Sequence, residues 1–199
     1  MKLPGIYPLF AERWKDYQDV YLYSDPHFGD IELQNSIKRR PSDEEQLKLI
    51  NSKIGRKSIF ICLGDVGDIE YAKRIRGYKI LILGNHDSGI TNYQDVFDEI
   101  YDGPLIIGEK LILSHEPIEH INWAMNVHGH VHDLRRQNDK YHYNICADHI
   151  NYTPVNFNQL LKTGFTSKIN SIHRQTINEA TIRKKEKNER NRTRMESNK

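Results

Sequence analysis

The stretch Ser58-Ile59-Phe60-Ile61-Cys62-Leu63-Gly64-Asp65 predicts a buried β-strand that ends in a sharp turn carrying a carboxylate. An unbroken run of bulky apolar residues is typical of a strand covered on both faces, and a glycine permits the abrupt turn. Because ligand groups in α/β sheets gather at the carboxyl ends of the strands, Asp65 is expected to face a shared crevice. Four further apolar runs end in the same kind of residue: 20–24 before Asp25-Pro26-His27, 80–83 before Gly84-Asn85-His86-Asp87, 111–114 before His115, and 125–128 before Gly129-His130-Val131-His132.

The composition is that of a globular protein with one sizeable core. The 199 residues are 37% hydrophobic, which favours a single domain with a small appendage. Residues 183–199 carry eight lysines and arginines against three glutamates, so residues 1–182 have a formal charge of −3 although the whole chain is at +2. Cys62 and Cys146 lie in apolar runs without metal-binding spacing, which favours reduced thiols. With no signal-peptide pattern and no apolar run near ~20 residues, the chain is expected to be cytoplasmic, with no membrane partner.

The order of the predicted elements favours an α/β fold with mixed sheets. Strand 58–63, a helix at 69–76 and strand 78–83 alternate as in parallel β-α-β units. After residue 99, short strands with tight connections are typical of hairpins, so antiparallel pairs are expected as well. Ser42 and Glu45 form a capping box that predicts the start of a helix packed by one face. The proline-rich residues 1–19 are expected to pack against this body.

The polar strand ends carry the donor types of a transition-metal site. Along an extended strand, residues i and i+2 point the same way and lie ~6.6 Å apart, so one cation can accept both Asp25 and His27. Imidazole, carboxylate and amide donors without sulfur suit Mn²⁺, Fe²⁺, Zn²⁺ or Ni²⁺ better than Ca²⁺ or Mg²⁺. The two carboxylate oxygens of Asp65 could bridge two ions ~3.5–4 Å apart, as two-metal hydrolases require.

Five sequence blocks, taken in order, resemble the signature of the calcineurin-like metallophosphoesterases. They are Asp25-x-His27, Gly64-Asp65-x-x-Asp68, Gly84-Asn85-His86-Asp87, His115 and Gly129-His130-x-His132. The resemblance covers residues 20–150, and an Arg-Pro pair after the first block is similar to that of small bacterial and phage phosphoesterases. It implies a four-layer α-β-β-α sandwich with two mixed β-sheets. We expect this domain to span residues 1–165, followed by a basic helical or disordered tail at residues 166–199.

The resemblance also implies a dinuclear metal-dependent phosphoesterase. It assigns one ion to Asp25, His27, Asp65 and His132, and the other to Asp65, Asn85, His115 and His130. Mn²⁺ is the expected ion, with Fe²⁺, Zn²⁺ and Ni²⁺ as alternatives. Since only Asp25 and Asp65 are anionic, two divalent ions leave a charge of about +2 that attracts a phosphate. The expected reaction is hydrolysis of phosphate esters, leaning to phosphodiesters, by attack of a metal-bound hydroxide.

Other residues of these blocks are expected to act on the substrate. By resemblance, His86 is catalytic: it stabilises the transferring phosphoryl group or protonates the leaving oxygen. Asp68 is predicted to hold the His86 ring and keep it cationic, while Asp87 either shares that role or caps the following helix. Arg40 and Asn85 are the predicted substrate-binding residues. For Arg40 the reason is that the planar guanidinium of an arginine can bind a phosphate through two hydrogen bonds. The alternative for Arg40 is a solvated surface residue.

Two other functions stay open at the level of sequence. The basic tail favours attraction to nucleic acid, which would make the chain a nuclease acting on DNA or RNA. A non-catalytic scaffold that uses the ions to hold a phosphorylated partner is the other alternative. The intact His86 and the complete ligand set argue against the scaffold.

Overall fold

The computed structural model describes residues 19–107, 110–135 and 138–197, so the predicted packing of the N-terminal segment falls outside it for residues 1–18. The strands in this part of the chain are β1 (Val20–Tyr23), β2 (Ile59–Cys62), β3 (Tyr78–Ile82), β4 (Glu99–Tyr101), β5 (Leu105–Ile106), β6 (Leu111–Leu113), β7 (Met125–His128), β8 (His142–Asn144) and β9 (Val155–Asn156). The helices are α1 (Ile31–Ser36), α2 (Asp43–Lys53), α3 (Ile69–Lys73), α4 (Phe157–Lys162) and α5 (Ile172–Ser197).

The strands form two mixed sheets, which confirms the predicted α/β class. In the first sheet the order is β4-β3-β2-β1-β9, where β1 to β4 run parallel to their neighbours and β9 is antiparallel to β1. In the second sheet the order is β5-β6-β7-β8, and only the β5–β6 pair is antiparallel. The parallel strands bring their carboxyl ends, and the residues that follow them, to one edge of each sheet.

The two faces of the central strands pack against different layers, which explains their unbroken apolar sequence. In β2, Ile61 belongs to a buried cluster that also contains Leu113 of β6 and Val127 of β7, so the two sheets pack against each other through this face. The neighbouring Phe60 belongs to a second cluster with Ile50 of α2. Burial of side chains of this size stabilises the fold by about 1.5–3 kcal/mol each, so both faces of β2 contribute.

Helix α2 begins at the predicted capping box. The backbone N–H of Glu45 donates to Oγ of Ser42 at 3.4 Å, and the N–H of Ser42 donates to Oε2 of Glu45 at 3.0 Å. Two otherwise unpaired backbone donors are satisfied in this way. The cap therefore fixes where α2 starts against the first sheet.

The outer face of the second sheet is covered by the connection between β6 and β7. Ile112 of β6 packs there against Ile121 and Ala124. The predicted α-β-β-α order of four layers stays a prediction.

The last described element, α5, runs for 26 residues and exposes its isoleucines Ile172, Ile177 and Ile182. Near its start, Nε2 of Gln175 donates to the carbonyl of Asn122 at 3.3 Å. Neither α5 nor another helix in the described ranges combines the length and apolar character needed to cross a membrane. The boundary between a domain at 1–165 and a tail at 166–199 stays a prediction.

Candidate metal centre

The polar residues that follow five parallel strands meet at one place. Donor atoms in each of two groups lie within 4.8 Å of one another: Asp25, His27 and His132 in the first group, and Asp65, His115 and His130 in the second. Asn85, which follows β3, lies against the second group. The seven residues predicted to bind metal are therefore brought together.

The backbone at these strand ends differs from the extended chain that the sequence predicted for Asp25 and His27. Their φ angles are 58° and 44°, and those of Asp65 and His130 are 54° and 64°. The N–H of Asp25 donates to the carbonyl of Gly64 at 3.1 Å, and that of His27 donates to Asp65 at 3.0 Å. The prediction of extended geometry was wrong, because these paired turns, and not strand alternation, orient the two side chains. Such left-handed residues cost about 1–3 kcal/mol each and cluster at functional sites.

The first group is built on the fully buried Asp25. Its Oδ1 and Oδ2 accept the N–H of His130 at 3.1 and 2.9 Å, and Oδ1 lies 3.7 Å from Nε2 of His132. In the third member, His27, Nε2 is buried and has no hydrogen-bond partner among the residues that the structure describes. A buried nitrogen without a partner is costly, and a cation that accepts its lone pair would remove that cost.

The second group has the spacing of donors around one cation. His115 Nε2 lies 2.8 Å from Asn85 Oδ1 and 3.2 Å from His130 Nδ1, and His130 Nδ1 lies 2.9 Å from Asn85 Oδ1. Donors ~2.1 Å from an ion are ~3.0 Å apart at right angles and ~3.4 Å apart in a tetrahedron. Because Nδ1 of His115 lies 2.7 Å from the carbonyl of Leu63, this bond fixes the ring with Nε2 toward the other donors. These residues therefore fit an ion.

Asp65, a member of the second group, also contacts the first. Its Oδ1 accepts the N–H of His86 at 2.9 Å, and its Oδ2 lies 3.3 Å from Nε2 of His27 and 3.4 Å from Nε2 of His115. Burial by itself raises the pKa of Asp65, but the nearby His115 and His27 rings and the backbone N–H of His86 hold it well below its usual value. Burial lowers the pKa of His115, whereas Asp65 and Asp25 raise it, to about 9. An anionic carboxylate beside a histidine of each group is suited to bridging two ions.

Glycine is required where neighbouring loops approach the two aspartates. A Cβ on Gly84 would lie 2.2 Å from Oδ1 of Asp65. On Gly129 it would lie 1.9 Å from Oγ of Ser24 and 2.2 Å from Oδ2 of Asp25. These contacts are far shorter than van der Waals distances, so any side chain at either position would displace a carboxylate.

Both groups border a cavity of about 350 Å³ that also contains His86. The His86 side chain is exposed, and its ring centroid lies 5.4 Å from that of His27. Asp30 and residues of α1 complete the lining. The predicted catalytic histidine is therefore open to solvent beside the first donor group.

Asp68 lies at the start of α3 and caps that helix. Its Oδ1 accepts the N–H of Glu70 at 2.9 Å. In the described ranges, no hydrogen bond or ion pair joins Asp68 to His86. The predicted support of the His86 ring by Asp68 stays a prediction.

Asp87 braces the turn that carries Asp65. Its carboxylate accepts the backbone N–H groups of Asp65 at 2.9 Å, Val66 at 3.0 Å and Gly84 at 2.8 Å, and the hydroxyl of Tyr93 at 2.9 Å. Burial and the neighbouring Asp87 charge raise the pKa of Tyr93 well above its usual value. One side chain thus ties the loop after β2 to the loop after β3, a role that the sequence did not indicate.

Arg40 lies behind the metal centre, neither in the cavity nor at the surface. Its side chain is 1% exposed. The guanidinium donates to Oδ2 of Asp148 at 2.9 Å and to the carbonyls of Asp25 at 2.8 Å and Pro26 at 2.6 Å. Its planar fork is therefore engaged within the protein.

Sequence reasoning missed Asp148, although it follows a strand-like run as Asp25 and Asp65 do. Its Oδ2 accepts from Nδ1 of His132 at 2.6 Å, and its Oδ1 accepts from the hydroxyl of Tyr152. Burial alone raises the pKa of Asp148, but His132, Tyr152 and Arg40 lower it to about 2. His132, Cys146 and Asp148 are close enough to hold an ion, but these bonds already occupy Nδ1 and Oδ2. Asp148 therefore supports the metal centre by holding the ring of His132.

Comparison with known proteins shows a shared fold and assigns no activity. No family model and no curated protein matches the chain. A solved structure described as the protein of unknown function AQ665 from Aquifex aeolicus is 26% identical, with a TM-score of 0.59 over 73% of this chain and 98% of that one. The nuclease MPE of Pseudomonas putida is 22% identical, with a TM-score of 0.42 over 57% of this chain and 61% of that one. The chain therefore shares its fold with nearly the whole of the Aquifex aeolicus protein.

Proposed function

We propose that this chain is a metal-dependent phosphoesterase that binds two divalent ions and hydrolyses phosphate esters. The observation that carries the proposal is the pair of donor groups with Asp65 between them, bordering the cavity that contains His86. The resemblance of the five sequence blocks to the calcineurin-like metallophosphoesterases supports it. The donor set of nitrogen and oxygen atoms favours Mn²⁺, with Fe²⁺, Zn²⁺ and Ni²⁺ as alternatives.

The ligand set would leave the loaded site positively charged. Asp25, His27 and His132 would hold one ion, Asn85, His115 and His130 the other, and Asp65 would contribute to both. When bound, two divalent ions polarise phosphoryl oxygens and lower the pKa of a water molecule held there. Because the protein contributes only two carboxylates against a charge of +4, the centre attracts an anionic group.

His86 is the residue that we assign to proton transfer. Its exposed ring lies in the cavity, and its backbone N–H is bonded to Asp65, so the side chain is anchored beside the donor groups. From there it would donate a proton to the leaving oxygen or stabilise the phosphoryl group. A positioned general acid contributes about 10²–10⁴-fold in rate.

The cavity favours phosphodiesters over monoesters. Among the described residues that line it there is no lysine or arginine, whereas Asp30 and Glu32 are acidic. A monoester dianion benefits from further cationic partners, while a diester carries a single charge. The engagement of Arg40 within the protein supports the same preference.

The proposal is tested with a chromogenic diester, bis(p-nitrophenyl) phosphate, in the presence of Mn²⁺. Changing His86→Ala is expected to lower kcat by about 10²–10⁴-fold while two ions stay bound. The matched control is His120→Asn, because His120 is exposed and its φ of 62° is tolerated by asparagine. Two bound ions without turnover in the unchanged protein would favour the phosphate-binding scaffold instead, and full activity of His86→Ala would remove the assigned role.

A nuclease is the second candidate, and the charge of α5 favours it. Arg183, Lys184, Lys185 and Lys187 are exposed on this helix. Cations along one element neutralise nucleic-acid phosphates and release counterions. In that case the phosphodiester substrate would be DNA or RNA, delivered to the same metal centre.

A further inference from the structure

The buried Arg40 joins the two chain segments that supply the first donor group. It donates to the carbonyl oxygens of Asp25 and Pro26, immediately before His27, and to Asp148, which bonds to His132. No other side chain in the described ranges is bonded both to the Asp25–His27 turn and to the support of His132. A guanidinium offers several donors in a fixed plane, which suits it to hold three acceptors at once.

Asp148 determines which nitrogen of His132 carries the proton. Its Oδ2 lies 2.6 Å from Nδ1, so Nδ1 donates and Nε2 keeps its lone pair for an ion. The hydroxyl of Tyr152 donates to the other oxygen, and the Arg40 guanidinium lies 5.7 Å over the Tyr152 ring. The carboxylate is therefore held from two sides.

We propose that Arg40, acting through Asp148 and the Asp25–Pro26 carbonyls, is a positioning residue for the first metal site only. This inference rests on the proposed function, because it takes two ions for granted. Two members of the second donor group receive their support elsewhere: His115 is bonded to Leu63, and the Asp65 turn is bonded to Asp87. The third member, His130, is bonded through its backbone N–H to the Asp25 carboxylate and not to the Asp25 carbonyl that Arg40 holds. Loss of Arg40 would therefore affect one ion and spare the other.

Titration of the metal-free protein with Mn²⁺ or Co²⁺ tests this asymmetry. The unchanged protein is expected to bind two ions. Arg40→Met is expected to bind one ion as before and the other about 10–100-fold more weakly, with a matching loss of part of the Co²⁺ absorption spectrum. Arg74→Met is the matched control, because Arg74, like Arg40, is bonded to a carboxylate and lies over a tyrosine ring, at 5.4 Å, but its partner Glu44 is at the surface.

Two further variants keep the test decisive if Arg40→Met does not fold. Asp148→Asn can turn an amide N–H toward Nδ1, which moves the His132 proton to Nε2 and weakens the same ion. Nitrogen NMR of the metal-free protein reports this change of tautomer directly. Tyr152→Phe removes one bond and is expected to give a smaller loss of the same kind.

The ion titrations give different results if the inference fails and if the proposed function fails. Unchanged affinity for both ions in folded Arg40→Met, or in Asp148→Asn with its altered tautomer, would overturn the inference and leave the phosphoesterase proposal intact. Equal weakening of both ions would also overturn it. Absence of ion binding by the unchanged protein would count against the proposed function itself.

Discussion

Among single residues, the glycines beside the candidate centre are as important to it as its predicted ligands. Gly129 precedes His130 and lies against Ser24 and Asp25, at distances that leave no room for a methyl group. The same N–H-to-carboxylate contacts that hold Asp25 require this close approach. Gly129 therefore belongs to the metal centre although it contributes no donor atom.

Changing Gly129→Ala is expected to displace Asp25 and to weaken ion binding by about 10-fold or more. Overpacking of this kind also lowers the free energy of unfolding by about 1–3 kcal/mol. Calorimetric titration with Mn²⁺ and urea denaturation measure the two effects. The control is Gly55→Ala, where the nearest atom, Oγ of Ser58, would lie 3.6 Å from the new Cβ. Equal ion affinity in the two variants would contradict the argument.

At the scale of elements, the turns after β2 and β3 act as one unit because a single carboxylate holds both. Asp87 accepts from three backbone N–H groups and one hydroxyl, so its removal would leave several donors without partners. Each such donor costs about 1–3 kcal/mol when it is shielded from water. The turn bearing Asp65 should loosen as a result.

Changing Asp87→Ala is expected to lower the free energy of unfolding by about 2–4 kcal/mol and to weaken ion binding through Asp65. Tyr93→Phe, which removes only the hydroxyl bond, is expected to cost about 1 kcal/mol. Urea denaturation of both variants without metal separates the structural effect from ion binding. If Asp87→Ala lowered the free energy of unfolding by less than Tyr93→Phe does, the hydrogen bonds of Asp87 to the two turns would be unimportant for stability.

For the molecule as a whole, we expect α5 and the metal centre to be separable. Gln175 of α5 is bonded to the loop between β6 and β7, well before the basic run that begins at Arg183. A chain without residues 183–199 should therefore keep its sheets and its donor groups. The basic residues would then act on substrate attraction alone.

Removal of residues 183–199 is expected to leave hydrolysis of a small diester unchanged and, if the chain is a nuclease, to reduce the salt dependence of nucleic-acid cleavage. Each neutralised phosphate contributes about −0.9 to the slope of log binding constant against log salt for duplex DNA. Lys184→Gln, Lys185→Gln and Lys187→Gln, combined in one chain, serve as a control that keeps the helix length. A salt dependence identical in all three proteins would argue against nucleic-acid attraction by α5.

Sequence reasoning was enough to predict the α/β class, the mixed sheets, the capping box and the order of the donor residues along the chain. These features follow from local pattern: an unbroken apolar run marks a strand such as β2, and the polar residue at its end lies at the sheet edge. The types of the donors were equally readable, because carboxylate, imidazole and amide groups keep their chemistry in any fold.

The residues that support those donors could be identified only in the folded protein. Arg40 and Asp148 are 108 residues apart, and nothing in the local sequence of either indicates that they pair. Likewise, the left-handed turns at Asp25 and His27 arise because their N–H groups pair with the loop after β2. The alternating side-chain directions of an extended strand do not indicate this pairing. Contacts between distant segments form when two sheets pack together, so the nitrogen that each histidine presents is a property of the folded protein and not of the motif.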